Sequence, residues 1–141
     1  MASSSSTKSV IITGGASGIG LAITRHFASQ GHNIAVLDVN ASTGPTVIKT
    51  VCKDFPHAKL TFHRCDVSSW DNQVTVFREV FEQHDGHIDV VCANAGVSDR
   101  GANGIELLDE AEPSRPSLTT VNINLVGLLY SMLSLPSPSI K

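Results

Sequence analysis

Three cysteines, one tryptophan, one tyrosine and 10 Lys plus Arg are few for a chain of 141 residues, and each scarcity closes off a class of protein. Cys52, Cys65 and Cys92 are odd in number and no two form a Cys-x-x-Cys. That argues against a disulfide framework or a zinc site and for a reducing, cytoplasmic compartment. The basic residues form no block, and 13 Asp plus Glu bring the net charge to −3. No electrostatic footprint for nucleic acid or an anionic membrane is present. The longest apolar-rich stretch, 121–135, is interrupted by Asn122, Asn124 and Gly127. It falls short of the roughly 20 residues that a membrane span needs. Residues 1–7, MASSSST, lack the basic start of a signal peptide and read as a disordered tail. With 41% hydrophobic and 16% charged residues, the remainder has the balance of one globular domain, too short for two.

What is present is an alternation of two periods. The run SVIIT at 9–13 is β-branched, apolar and closed by glycines, as a buried strand should be. Ile19, Ile23 and Phe27 then step by four across 18–30, the stripe of an amphipathic helix, and Gly31 stands where a C-terminal glycine belongs. NIAVLD at 33–38 predicts a second strand. Val47, Val51 and Phe55 predict a second helix, ended by Pro56. KLTFHRC at 59–65 predicts a third strand, and Trp70, Val74, Phe77 and Phe81 a third helix stopped by Gly86. IDVVCA at 88–93 predicts a fourth strand. A loop with Gly101, Gly104, Pro113 and Pro116 follows over 97–117. Val121, Leu125, Leu128 and Met132 then resume a helical period over 118–135, and 136–141 reads as an irregular tail.

The order βαβαβαβ, with crossovers long enough for helices, implies an α/β fold. Its sheet is parallel and doubly wound, Rossmann-like, with right-handed crossovers and helices on both faces. The reading places this domain at 8–135.

Between the first strand and first helix lies Thr13-Gly-Gly-Ala-Ser-Gly-Ile-Gly20. Glycines there permit a tight turn and a close backbone approach to a pyrophosphate, and the helix start supplies unpaired N–H groups and a partial positive charge. Asp38 ends the second strand, 18 residues after Gly20. A carboxylate at that place accepts hydrogen bonds from a ribose diol and repels a 2′-phosphate. Position 17 is Ser and positions 39 and 40 are Val and Asn, so no cation is placed for a 2′-phosphate. The reading is NAD, with NADP as the less favoured cofactor.

The spacing Thr-Gly-x-x-x-Gly-x-Gly, with Thr13, Gly14, Gly18 and Gly20, resembles the short-chain dehydrogenase/reductase family. Three further segments resemble that family in order: Cys65-Asp66-Val67, Asn94-Ala95-Gly96 and Asn124-Leu125-Val126-Gly127. The resemblance covers about residues 8–133. It implies reversible NAD-dependent oxidation of a secondary alcohol to a ketone. Gly14, Ser17, Gly18, Ile19 and Gly20 would hold the pyrophosphate, Asp38 the ribose, and Asp66 with Val67 the adenine. Asn94 would sit near the nicotinamide-side ribose, with Ala95 and Gly96 in a turn that supports the sheet and borders the cofactor. Asn124 would be a catalytic-type residue that holds a water in a proton relay; Asn122 is its alternative, and the Asn-Leu-x-Gly phrase favours Asn124.

The same resemblance implies a catalytic Ser, a Tyr general acid/base and a Lys four residues after the Tyr. A free Tyr titrates near 10, and a cation one turn away favours phenolate nearer neutrality. Tyr130 is the one tyrosine, position 134 is Ser, and the next lysine is Lys141. Tyr130 therefore reads as a packing residue. The expectation is a truncated product that holds the cofactor half of an oxidoreductase. Its fourth strand would be left as an open edge, and its last helix would lack a neighbour on one face. The alternative is a non-catalytic module that binds NAD or pairs with a full-length relative, or with a copy of itself as a homo-oligomer. His84 and His87 form an incomplete metal ligand set, and no Gly-x-Ser-x-Gly elbow of a hydrolase is present.

Overall fold

The computed structural model describes residues 6–98 and 115–135. Residues 1–5 of the expected tail at 1–7, the tail expected at 136–141 and most of the loop expected at 97–117 lie outside these residues. Four strands form one parallel sheet: β1 (Ser9–Thr13), β2 (Asn33–Asp38), β3 (Lys59–Arg64) and β4 (Val90–Ala93), in the order β3-β2-β1-β4. β1 is central and buried at all five positions, which is why its five residues include Val10, Ile11 and Ile12 in an unbroken apolar run. Ile11 is in register with Ala35 on one side and Val91 on the other.

Alternation along β1 divides the core in two. Val10 and Ile12 pack with Ala28 of α1 (Gly18–Ser29) and with Ile48 and Val51 of α2 (Gly44–Asp54). Ile11 points the other way, into Ala35, Leu37 and the Val76, Phe77 and Val80 of α3 (Trp70–Gln83). Helices on both faces make the sheet doubly wound. The strand order reverses between β2-β1 and β1-β4, so a crevice opens at the carboxyl ends of β1 and β4, where such sheets bind ligands.

Helix ends follow the expected chemistry. Gly31 takes φ 75° just past α1, and Phe55 closes α2 immediately before Pro56. Gly44 opens α2 against the Phe62 ring so closely that a Cβ there would overlap it.

Three helical faces depart from the apolar stripes. α1 buries Gly20, Thr24 and Ala28, where the sheet comes too close for large side chains, and leaves Ile19 76% exposed. α3 buries Gln73, Val76, Phe77 and Val80, whereas Trp70 is 41% exposed. The face is displaced because Gln73, polar and therefore invisible to a search for apolar spacing, occupies its centre with all its polar atoms partnered. The expected helix over 118–135 is broken into α4 (Thr119–Val121), a π-helical segment (Asn122–Val126) and α5 (Gly127–Leu133). Its protein-facing side is Gly127, Ser131 and Ser134, and the stripe Val121, Leu125, Leu128 and Met132 is exposed. Small residues face inward because the backbone approaches Val67: a Cβ on Gly127 would lie 2.9 Å from its Cγ2. The π segment widens the turn and rotates the faces on either side of it. Together with β4, which is an outer strand of the described sheet, that exposed stripe is the apolar surface that the sequence leads one to expect.

The amino end of the sheet is tied by a buried histidine. His84 Nδ1 lies 2.6 Å from Ser9 Oγ, and Asp89 Oδ2 accepts from the Ser9 amide at 2.7 Å. Burial lowers the His84 pKa from 6.5, helped by His63 and His87 and opposed by Asp85; burial likewise lowers His63, against Glu79. Folding thus favours the neutral rings. Their contribution is present above 6.5, the unfolded value, and is lost as pH falls through the folded values. Thermal melts should show Tm falling by a few degrees between pH 7.5 and 5.5, before most carboxylates titrate. A His84→Gln variant should show a flatter profile over that range.

Candidate functional site

The corner between β1 and α1 is shaped by contacts that only glycine permits. Gly14 takes φ 64° and its amide donates to the Leu37 carbonyl at 2.7 Å, turning the chain away from β1. A Cβ on Gly14 would lie 2.9 Å from Ala95 Cα. A Cβ on Gly20 would overlap the Gly14 carbonyl and lie 2.6 Å from Asn94 Nδ2. Gly18, at φ 51°, has nothing within 4 Å of its missing Cβ, so this glycine faces open space. Ser17, the residue before α1, is extended and makes no side-chain cap, and the first turn holds no acid. The first-turn amides of α1 therefore point at the opening with their donors and partial positive charge available.

Asp38 stands at the tip of β2 beside this corner. Its Oδ2 accepts from the Ala16 amide at 3.2 Å and its Oδ1 from the Asn40 amide at 3.0 Å. Asn40 in turn accepts at Oδ1 from the Ser42 and Thr43 amides, both at 3.2 Å. The carboxylate is thus oriented by backbone on both sides and keeps acceptor capacity on each oxygen. After β3, Asp66 Oδ1 accepts from the Ser68 amide at 2.9 Å and the Ser68 hydroxyl at 2.7 Å. After β4, the Asn94 and Ala95 amides both donate to Thr13 Oγ1 at 3.1 Å, and Asn94 Nδ2 donates to the Thr13 carbonyl at 3.1 Å. The Asn94 carboxamide therefore splices β4 to β1.

These pieces enclose a cleft of about 710 Å³, the size of a cofactor site. It brings together Gly14, Ser17, Gly18, Ile19, Gly20, Asp38, Asp66, Val67, Asn94, Ala95 and Gly96. Asn124 does not line it. Its Oδ1 accepts from the Val97 amide and its Nδ2 donates to the Val97 carbonyl, both at 2.8 Å, so it holds the post-β4 loop from behind, while Thr119 and Ile123 of the same helix face the cleft. Sequence reasoning did not single out Val39, Ser68, Val97, Thr119 or Ile123 as part of this wall. Val39 had a signal: an apolar residue right after a strand-end acid, 59% exposed and therefore available to a ligand face. Cys65 also lines the cleft, but burial, with Asp66 adding to it, pushes its thiol up to about 12, so it is not a nucleophile there.

Tyr130 is a packing residue. Its ring lies 5.3 Å from that of Trp70 in an edge-to-face pair, and Ser134 donates to its carbonyl at 2.7 Å.

The model of the family described as short chain dehydrogenase matches residues 8–136. The chain belongs to the short-chain dehydrogenase family. It is 35% identical over 130 residues to a short-chain dehydrogenase/reductase of Acremonium egyptiacum, covering 92% of the chain and 40% of that relative. It is 35% identical over 130 residues to an NADP-dependent dehydrogenase of a Phoma species, covering 89% and 37%. A solved NAD+-bound xylitol dehydrogenase superimposes with a TM-score of 0.75 at 26% identity, covering 91% of this chain and 46% of that one. The chain thus spans less than half the length of these proteins. Family membership brings the expectation of a nicotinamide cofactor, and the cradle fits one: open at Gly18, closed at Gly20 and bordered by a carboxylate. Among the described residues no helix is long and apolar enough to cross a membrane.

Proposed function

We propose that these residues are the cofactor-binding part of an NAD-dependent oxidoreductase that interconverts a secondary alcohol and a ketone. The observation that carries this reading is the meeting of the Gly14–Gly20 corner with Asp38 in one cleft. The amides at the start of α1 would hold the pyrophosphate, Asp38 the adenosine ribose, and Asp66 with Val67 and Val39 the adenine. When bound, the nicotinamide supplies the hydride acceptor or donor. The chain's own part is to bind and orient it: Ile19 and the loop held by Asn124 would flank the nicotinamide end. Asn124, outside the cleft and with both ends of its carboxamide taken by the Val97 backbone, is assigned to positioning that loop rather than to holding a relay water, and Asn94 is the residue we place near the second ribose.

NAD is favoured over NADP because no described residue lining the cleft is Lys or Arg, while Asp38 presents a carboxylate. A second reading, a module that binds the cofactor without turnover, is favoured by Tyr130, which packs on Trp70 and has Ser, not Lys, four residues on. No Tyr with a Lys four residues after it, the pair that would favour a phenolate, occurs among these 141 residues. The expected result is that the 141-residue chain binds NADH in a fluorescence titration, with no turnover of a secondary-alcohol panel above background. Absence of saturable binding would refute the cofactor assignment; turnover would refute the non-catalytic reading of this chain.

A further inference from the structure

α3 buries one polar side chain completely, Gln73, and its bonds all lead out of α3. Nε2 donates to the Val67 carbonyl at 2.7 Å and to the Gly127 carbonyl at 2.9 Å; Oε1 accepts from Ser131 Oγ at 2.9 Å. Ser131 Oγ also lies 2.9 Å from the Gly127 carbonyl. Gln73 therefore ties the loop after β3 to α5. Val67 has its back to this clamp, with Gly127 pressed so close that no Cβ fits, and it also lines the cleft. The chain that enters α5 carries Asn124, which holds Val97, and Ile123, which lines the far part of the same cleft.

A carboxamide with two donors and an acceptor matched to three partners is specific chemistry for a core position, where a Leu of similar size would pack at less desolvation cost. We infer that Gln73 is a positioning residue that sets the adenine-side wall at Val67 and links its occupancy to the docking of α5. The inference rests on the cofactor reading above. Linkage is reciprocal: a ligand that reaches only the adenosine end should hold α5 more firmly, and loosening α5 should weaken that ligand.

The probe is AMP, which has no nicotinamide half, and the readout is amide hydrogen exchange across α5 in the 141-residue chain. In the native chain, saturating AMP should slow exchange in α5 at least about threefold. In Gln73→Met, AMP should bind about tenfold more weakly, the scale of one lost buried hydrogen bond. At saturation, α5 should then gain no protection. Ser131→Ala removes one bond with a good helix former and should give a partial loss; it carries the test where Gln73→Met does not fold. Val76→Ala weakens the same core without touching the clamp and should keep the native response. Retention of AMP-dependent protection in the clamp variants overturns the inference, as does its loss in Val76→Ala. A native chain that binds AMP with α5 unchanged overturns the inference alone. A native chain that binds neither AMP nor NADH overturns the cofactor reading itself.

Discussion

Gly20→Ala should abolish measurable NADH binding, with a loss of affinity of at least about a hundredfold, and should cost the fold about 3 kcal/mol or more. The added methyl would overlap the Gly14 carbonyl and crowd Asn94 Nδ2 at 2.6 Å. Neither can give way cheaply. The first is backbone at a left-handed turn, and the second is the carboxamide that splices β4 to β1. Relief would have to come from moving the start of α1, where the pyrophosphate would sit. Gly18→Ala is the informative contrast. It meets no atom within 4 Å, so its cost is the positive φ alone, on the order of 1–2 kcal/mol. Isothermal titration with NADH and a chemical melt of each variant measure both quantities. Comparable affinity in Gly20→Ala and the native chain would contradict the geometry of the corner.

NADPH should bind about a hundredfold more weakly than NADH, and Asp38→Asn should remove most of that difference. A 2′-phosphate would stand beside the Asp38 carboxylate with no described Lys or Arg lining the cleft to neutralise it. Two unit charges about 5 Å apart at an effective dielectric of about 20 repel by about 3 kcal/mol. Asn keeps an acceptor and nearly the same shape. The bond from the Ala16 amide can therefore persist while the exposed one from the Asn40 amide is given up, and a change in preference reflects charge rather than collapse. Raising the salt concentration should narrow the gap in the native chain, because the carboxylate is only partly buried. Equal affinity for the two cofactors in the native chain would remove Asp38 from its assigned role.

The parts of this fold that were legible in the sequence are those in which side-chain chemistry repeats with backbone geometry. β1 reads as a strand because all five positions are buried and three of them are Val or Ile. The Gly14–Gly20 corner reads as a cradle because its glycines answer to steric limits that no other residue meets. What was not legible lies where packing inverts the apolar rule. Gln73 is the buried centre of α3 because three polar partners, one in the loop before α3 and two on α5, converge on it, and no local period records that. α5 turns Gly127 and Ser131 inward because close backbone approach outweighs side-chain burial, and the π segment at Asn122–Val126 breaks the spacing on which a periodic reading depends. Asn124 was marked by its motif, yet its bonds to the Val97 backbone, 27 residues away, follow from tertiary geometry alone.

The most direct test of the account is a hydrogen-exchange footprint of NADH on the 141-residue chain. Saturating NADH should protect amides at residues 14–20, 38–40, 66–68 and 94–97, four segments remote in sequence that line one cleft. The amino end of the sheet around Ser9 and His84 should remain unchanged. Protection centred anywhere else, or no change in the 14–20 corner at saturation, would contradict a cofactor cradle built from the first strand, the first helix and the acid at the neighbouring strand's tip.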